Sequence, residues 1–301
     1  EVADRITVIR LGKVVGEASP TESSTELASM MVGHAVELMI KKGPPKLGPE
    51  AVVVRDLSVI NHLDQYVVSH VSFDVRAGEV LVVAGVQGNG QTELVQAFIG
   101  LQRRVEGSIT LNGEELVGRG VGDVLDAGVG FVPEDRTDDG LVGQFTIAEN
   151  LMLDRSEGAP FVRGGALQLA DLHRFAEDKL REFDIRAQGV DSLVGQLSGG
   201  NQQKVVLARE LSRDLRLLVA SQPTRGLDVG SVEFVHTRIV QARDTGIPVI
   251  VVSTELDEVM ALADRIAVMY RGGIVGIVPA GTSREVLGLM MAGEKPEEVA
   301  A

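Results

Sequence analysis

Short apolar runs alternate with amphipathic stretches through most of the chain. VLVVA from Val80, LRLLVA from Leu215 and PVIVVS from Pro248 are almost wholly apolar and short, which is typical of strands buried on both faces of a parallel sheet. ADLHRFAEDKLREFDI, from Ala170, carries the 3.6-residue period of a surface helix. Strands that alternate with helices predict a layered α/β core around a mainly parallel sheet.

Other segments extend this pattern in both directions. β-Branched content and alternation predict strands in AVVVRDLSV, VSFDVRAGE, GSITLNGEEL, GVGFVPEDR and IAVMY. Helices are predicted from Gln91 to Gly100 and after Gly281, and a mostly helical insertion between about 145 and 191. No run of apolar residues is long enough for a membrane-spanning helix, and no signal-peptide pattern opens the chain.

Two segments far apart in the chain are alike. ADRITVIRLGKVVG from Ala3 and ADRIAVMYRGGIVG from Ala263 lie 260 positions apart, and 13 of 32 positions are identical between 3–34 and 263–294 without a gap. A locally recurring strand–helix pattern would not keep the Asp-Arg pair in register. The repeat therefore indicates duplication of a whole domain rather than a short repeat unit.

This repeat predicts the domain organisation. Residues 1–40 are expected to be the C-terminal tail of a first domain and 51–292 a complete second copy, with a helical subdomain at about 134–205 and a tail at 293–301. KKGPPKLGPE, residues 41–50, has three prolines and two glycines and is predicted to be a linker. Because the first residue is glutamate and not methionine, the chain is also expected to be a fragment.

Composition and charge narrow the partners. The net charge of −14 argues against a nucleic-acid partner, because phosphate backbones are bound by clustered lysine and arginine. The chain has no cysteine, so disulfides are excluded and the redox compartment stays undecided.

GVQGNGQTE, from Gly85 to Glu93, lies between a predicted buried strand and a predicted helix. It fits the phosphate-binding pattern G-x-x-x-x-G-K-[ST] at every fixed position except the lysine, which is Gln91. Backbone N–H groups of such a loop and the start of the helix attract phosphate, and the Thr92 hydroxyl is a weak candidate ligand for Mg²⁺. On its own the loop could also be a glycine-rich turn without a ligand. The candidate nucleotide-binding residues are Gly85, Gln87, Gly88, Asn89, Gly90, Gln91, Thr92 and Glu93.

A second motif carries a family resemblance. LSGGNQQKVVLARELSRD from Leu197, followed by LLVASQPTRGLD, resembles the signature region of ATP-binding-cassette (ABC) ATPases, and the LSGGNQQ form resembles the tandem cassettes of bacterial importers of simple sugars and nucleosides. The resemblance covers nearly the whole chain and places several motifs in the right order. It implies a P-loop ATPase core with a mainly parallel sheet, an antiparallel β subdomain and a helical insertion.

The resemblance also assigns roles. In the family the signature segment reaches the γ-phosphate held by the partner cassette, and its start at a helix N-terminus suits an anion. Here that segment is Leu197, Ser198, Gly199, Gly200, Asn201 and Gln202. Asp228 matches the aspartate of the loop that contacts the opposite cassette, and Glu134 matches the glutamine of the permease-facing loop.

Four positions depart from the family. Gln91 replaces lysine, Ser221 and Gln222 replace the aspartate and glutamate that hold Mg²⁺ and act on water, and Thr254 replaces histidine. The loss of general acid–base help alone is typically worth about 10²–10⁴ in rate. No catalytic residue is therefore intact in this copy's own site, which is expected to bind ATP weakly or without turnover, with Mg²⁺ weak or absent.

The resulting hypothesis is that this chain is half of the energy-coupling ATPase subunit of a bacterial importer, most simply one for nucleosides. The subunit is expected to lie peripherally on the cytoplasmic face of the membrane. The resemblance implies as partners the first cassette of the same polypeptide, two membrane permease subunits and, indirectly, an extracytoplasmic substrate-binding protein. A simple-sugar importer is the first alternative. A tandem cassette protein that acts on ribosomes or DNA, or a regulatory nucleotide sensor, stays in view as a different class.

Overall fold

The computed structural model describes residues 3–10, 12–22, 24–32, 40, 42–155 and 158–295. Part of the expected first-domain tail (residues 1, 2, 11, 23 and 33–39), the first linker residue (41) and the end of the expected C-terminal tail (296–301) lie outside the described residues.

The strands, in chain order, are β1 (Ile6–Arg10), β2 (Lys13–Ala18), β3 (Glu50–Ile60), β4 (Tyr66–Arg76), β5 (Val80–Ala84), β6 (Val105–Leu111), β7 (Glu114–Glu115), β8 (Val129–Val132), β9 (Val162–Arg163), β10 (Ala166–Leu167), β11 (Leu217–Ser221), β12 (Val249–Ser253), β13 (Arg265–Tyr270) and β14 (Gly273–Pro279). The α-helices are α1 (Ser24–Val32), α2 (Gln91–Phe98), α3 (Val121–Asp126), α4 (Ile147–Met152), α5 (Leu169–Glu182), α6 (Gly199–Glu210), α7 (Val229–Asp244), α8 (Leu256–Leu262) and α9 (Arg284–Met291).

A six-stranded sheet forms the centre, in the order β14-β13-β5-β12-β11-β8. Neighbouring strands are parallel except β14, which turns back antiparallel to β13. Every residue of β5, β11 and β12 is buried, as expected for parallel strands covered on both faces. The α/β prediction is confirmed.

A second, antiparallel sheet lies beside it, in the order β4-β3-β6-β7. Its inner face shares one apolar cluster with α2 and with one face of the central sheet, where Phe73 and Phe98 lie with ring centroids 6.3 Å apart. The turn before β7 uses Asn112 and Gly113, both at positive φ, as a two-residue hairpin requires. This sheet is the antiparallel subdomain that the resemblance implied.

The predicted helical insertion contains more than helices. Between α4 and α5 the chain makes the short antiparallel hairpin β9–β10, joined by Gly164 and Gly165. Both glycines have positive φ, so a Gly-Gly pair between two short β-forming runs was the available signal for this turn. A helical period dominates the surrounding sequence, which is why the prediction missed the hairpin.

The hairpin β1–β2 repeats β13–β14 in detail. Ile6 pairs with Ala18 and Ile266 with Val278, and every later pair keeps the same 260-residue offset. The register shift falls after Val8 in one hairpin and after Val268 in the other. The repeat seen in the sequence is therefore also a repeat of strand pairing.

Residues 42–49 contain no helix or strand, but the segment is bound to the domain that follows. Lys42 Nζ donates to the carbonyls of Leu262 and Ala263 and contacts Asp264 Oδ1 at 3.1 Å. Further along, backbone hydrogen bonds join Gly48 N to Ala77 O and Ala77 N to Pro49 O. The predicted linker thus lies fixed against the domain for most of its described length.

Candidate functional site

The glycine loop lies where the sequence predicts, between β5 and α2 at the carboxyl edge of the central sheet. Gly88 and Gly90 have φ of 87° and 100°, and a Cβ at Gly90 would lie 2.4 Å from the Val67 carbonyl oxygen. Glycine is favoured at both positions because L side chains avoid that conformation, and at Gly90 there is also no room for a side chain. Thr92 is exposed at the start of α2 and Glu93 is half-buried behind it.

Gln91 is turned into the loop. The residue is 5% exposed; its amide Nε2 donates to Val86 O at 3.1 Å, and its Oε1 accepts from the backbone N–H of Asn89 at 3.1 Å. In a phosphate loop such N–H groups normally face the ligand. The glutamine therefore not only lacks charge but also occupies a donor that phosphate would use.

A cavity of about 340 Å³ opens at the same edge of the sheet. It brings together Gln87 of the phosphate loop, Glu134 of the loop expected to face a permease, and the two changed catalytic positions Gln222 and Thr254. The Gln222 amide oxygen accepts from the Thr254 hydroxyl at 3.2 Å. Two of the positions at which this sequence differs from the family pattern, Gln222 and Thr254, are thus hydrogen-bonded to each other.

Two residues of this cavity were missed by sequence reasoning. Arg225 forms an ion pair with Glu134, and Gln87 Nε2 lies 3.5 Å from the same carboxylate. Glu255, next to Thr254, lines the cavity as well. The sequence analysis had singled out the nearby residues Gln222 and Thr254. The contact between Arg225 and Glu134 could not be predicted, because the two residues are far apart in the sequence and only the fold brings them together.

Magnesium fits this set of residues poorly. Thr92 and Ser221 line one neighbouring cavity of about 480 Å³, and both are neutral hydroxyls. Three carboxylates line it as well: Glu134, which is engaged by Arg225, Asp135, which accepts hydrogen bonds from Thr137 and Asp138, and Asp139. Over the ranges that the structure describes, no group of three or more His, Asp or Glu residues is arranged to hold a metal ion. The carboxylates that Mg²⁺ prefers are lacking where the family keeps them.

The signature segment starts a well-formed helix. Ser198 is the N-cap of α6, and its hydroxyl accepts from Asn201 Nδ2 at 3.0 Å without capping the backbone. Leu197 is half-buried before it, and the buried Gln202 donates to Val194 O at 3.2 Å. Without a side-chain cap, the first turn keeps N–H groups that suit an anion.

Neither signature glycine has positive φ, so what distinguishes the two positions is the space around them. A Cβ at Gly199 would lie 2.5 Å from Arg136 Nη2, and one at Gly200 would lie 2.1 Å from Ser231 Oγ. The helix start therefore lies against Arg136 on one side and the first turn of α7 on the other.

Asp228 lies at the start of α7, beside Gly200. Its carboxylate accepts from Ser231 N at 3.0 Å and from Ser231 Oγ at 2.7 Å, which makes it a side-chain N-cap. Burial raises the pKa of Asp228, but these hydrogen bonds outweigh that effect and lower the pKa overall. The carboxylate is thus ionised at neutral pH.

Within the described ranges, no helix is both long and apolar enough to cross a membrane.

Comparison with known sequences identifies the family. Residues 68–225 match the family model described as ABC transporter. The chain is 43% identical over 97% of its length to the nucleoside import ATP-binding protein NupA of Lactococcus lactis subsp. cremoris, and 40% identical over 99% to the guanosine import ATP-binding protein NupO of Bacillus subtilis. It is 39% identical over 97% to a glucose import ATP-binding protein of Haloferax volcanii. It spans 58%, 59% and 54% of these three proteins, respectively.

Solved structures agree on the fold. A nucleotide-free ATP-binding cassette from an ABC transporter superposes with a TM-score of 0.65 at 20% identity, covering 84% of this chain and 99% of that one. A dimeric cassette bound to ADP and phosphate also gives a TM-score of 0.65 at 20% identity, covering 77% of this chain and 100% of that one. With the phosphate loop, the signature helix and the matching family model in one fold, the chain belongs to the ABC transporter family, as an ATP-binding cassette.

Proposed function

We propose that this chain is the nucleotide-binding half of the ATPase subunit of a bacterial importer, in which its own phosphate loop does not support hydrolysis. The observation that carries the proposal is the chemistry at the end of β11. Ser221 and Gln222 stand where catalysis needs carboxylates, and the neutral Gln222 side chain accepts a hydrogen bond from the Thr254 hydroxyl. General-base help is thereby lost, at a cost of about 10²–10⁴ in rate.

The same proposal gives the signature segment a partner. Residues 1–40 are taken as the tail of a first cassette, 41–50 as the linker, 51–292 as the second cassette and 293–301 as its tail. The matched strand registers of β1–β2 and β13–β14 support this duplication. Leu197 to Gln202 then complete the catalytic site of the first cassette, while this half's own loop holds ATP weakly and with little or no Mg²⁺.

Transport of nucleosides is the preferred activity. Two of the relatives reported above are named as nucleoside or guanosine import proteins, and a glucose import protein is 39% identical, which keeps a simple-sugar importer as the alternative. Either activity places the chain on the cytoplasmic face of the membrane, against two permease subunits and downstream of a substrate-binding protein. Glu134 and the residues after it are proposed to face the permease.

A ribosome- or DNA-bound role is disfavoured by charge. The net charge of −14 would repel phosphate backbones. Co-purification from the source cell distinguishes the two classes. An importer subunit is expected to co-purify with a permease, whereas a protein that acts on ribosomes is expected to co-purify with ribosomes.

The test uses the longer protein that contains both cassettes. Ser198→Arg should abolish ATP turnover, because it blocks the signature segment that serves the other site. Thr92→Ala should reduce turnover far less, because it changes only this half's own loop. Steady-state ATPase assays of both variants measure the asymmetry. If Thr92→Ala abolished turnover and Ser198→Arg did not, the division of roles would be reversed and the proposal wrong.

A further inference from the structure

Arg136 lies between two parts of the cassette that the sequence treats separately. Its Nη1 donates to the carbonyl of Arg225 at 3.0 Å. Its Nη2 lies so close to Gly199 that a Cβ there would be 2.5 Å away, with Cζ at 3.3 Å and Nε at 3.5 Å. The guanidinium therefore lies against the first residue of the signature helix, with Nη2 nearest.

This position is unfavourable for the isolated chain. A cation at the N-terminus of α6 opposes the helix dipole. Arg136 Nε is buried and has no hydrogen-bond partner among the residues that the structure describes. A buried donor without a partner is costly. The unfavourable interaction with the helix dipole decreases when an anion approaches the start of α6, which the proposed function supplies as the γ-phosphate of ATP on the first cassette.

We propose that Arg136 is a positioning residue for the signature segment, an inference that rests on the proposed function. Its guanidinium fixes Gly199 relative to Arg225 and adds positive charge beside the helix start. Arg225 in turn pairs with Glu134, which Gln87 of the phosphate loop approaches at 3.5 Å. Arg136 thereby joins this half's own loop to the segment that it presents to the other site.

The contact predicts that the effects of substituting Arg136 and Gly199 are not additive. In the two-cassette protein, Arg136→Ala should lower kcat for ATP by about 10- to 100-fold with little change in KM, because a small misplacement of a positioned group costs that much. Arg136→Lys should recover part of the loss, since it keeps the charge but not the planar fork. Gly199→Ala should be as damaging as Arg136→Ala alone, yet add nothing in the Arg136→Ala background, where the space is free.

Gly200→Ala is the matched control. Its Cβ would meet Ser231, so Arg136→Ala should not relieve it. Thermal unfolding of every variant separates lost turnover from lost folding, and Arg136→Lys retains a readout if Arg136→Ala folds poorly.

The outcomes distinguish the two proposals. If Ser198→Arg leaves turnover intact, the signature does not serve the other site, and the proposed function falls together with this inference. If Ser198→Arg abolishes turnover while Gly199→Ala costs the same with and without Arg136, only the positioning role is overturned.

Discussion

At the scale of single residues, the loop shows what replaces a missing charge. Lysine in such a loop extends toward phosphate, but the shorter neutral side chain of Gln91 finds both its hydrogen-bond partners within the loop. The sequence predicted the loss of charge at Gln91, Ser221, Gln222 and Thr254, because each is a change of chemical type at a known position. It could not predict that Gln91 would bond Asn89 or that Gln222 would bond Thr254, because those contacts depend on rotamers and folding.

Restoring the lysine should therefore separate binding from catalysis. Gln91→Lys frees the Asn89 N–H and returns a charge-assisted contact, so ATP affinity at this half's own loop should rise about tenfold. Turnover at that loop should stay negligible, because Ser221 and Gln222 are unchanged. Binding of a fluorescent ATP analogue to the chain measures the change.

Gln91→Met is the control, because it frees the same N–H without adding charge. Equal affinity of the lysine and methionine variants would show that charge is not what the loop lacks.

At the scale of elements, helix starts are determined by different means. The first turn of α7 is capped by the charged side chain of Asp228. The first turn of α6 has no side-chain cap, and its two glycines lie close to Arg136 and Ser231. The sequence indicated the start of α6 from LSGG, whereas the helix after Asp228 was not predicted. The steric reason for the glycines lies in Arg136 and Ser231, which are far from them in sequence and could be placed there only by the fold.

Asp228 should give α7 a stability that depends on pH. Because the pKa of Asp228 is lowered, the stabilisation is present at neutral pH and is lost as pH falls through the lowered pKa, below about pH 4. Asp228→Ala should lower the free energy of unfolding by about 0.5–2 kcal/mol at neutral pH. Urea unfolding across pH measures this.

Asp228→Asn is the matched variant, because asparagine also caps helices but does not titrate. It should keep most of the stability at neutral pH and lose the acid dependence. An unchanged acid dependence in Asp228→Asn would assign it to another carboxylate.

The linker segment is held through a buried charge cluster. Asp264 accepts from Arg243 Nη1 at 3.0 Å and from Lys42, and the Arg243 side chain is only 1% exposed. Asp264→Asn takes the counter-charge from Lys42 and leaves Arg243 with the half-exposed Asp244 alone, and it should lower the free energy of unfolding by about 3–5 kcal/mol.

The matched control is Asp64→Asn. Asp64 pairs with Arg104, but the two side chains are 79% and 50% exposed, so the loss should be at most about 1 kcal/mol. Chemical denaturation of both variants tests the difference. Equal losses would mean that the cluster does not hold the segment.

At the scale of the whole molecule, the alternation of buried strands with helices and the position of the loop followed from hydrophobic pattern and motifs, because buried parallel strands and glycine turns leave local signals. The order of the strands in the sheet did not follow from them. The hairpin β9–β10 and the ion pair between Arg225 and Glu134 could not be predicted, because short strands and contacts between distant residues leave only weak signals in the sequence. The 260-residue repeat is visible both in the sequence and in the strand registers of β1–β2 and β13–β14.

Duplication predicts different protection of the two hairpins. β13 pairs with β5 as well as β14, whereas β1 pairs with β2 alone among the described strands. A two-stranded hairpin is marginally stable. Amide hydrogen exchange should therefore be fast in β1 and slow in β13 of the chain alone. In the longer protein β1 should become protected, and equal exchange in both forms would contradict the proposed first cassette.

The attachment of residues 42–49 has a practical consequence for separating the two halves. Proline- and glycine-rich connections usually invite cutting or insertion, but here the segment forms part of the surface of the domain that follows it. A protease cut after Lys42 would leave this residue on the upstream piece, and a spacer inserted there would separate it from the rest of the segment. In either case the domain would lose a side chain that three of its acceptors hold in place. Dissection of the polypeptide, or fusion of this half to another protein, should therefore leave Lys42 and everything beyond it with the downstream piece.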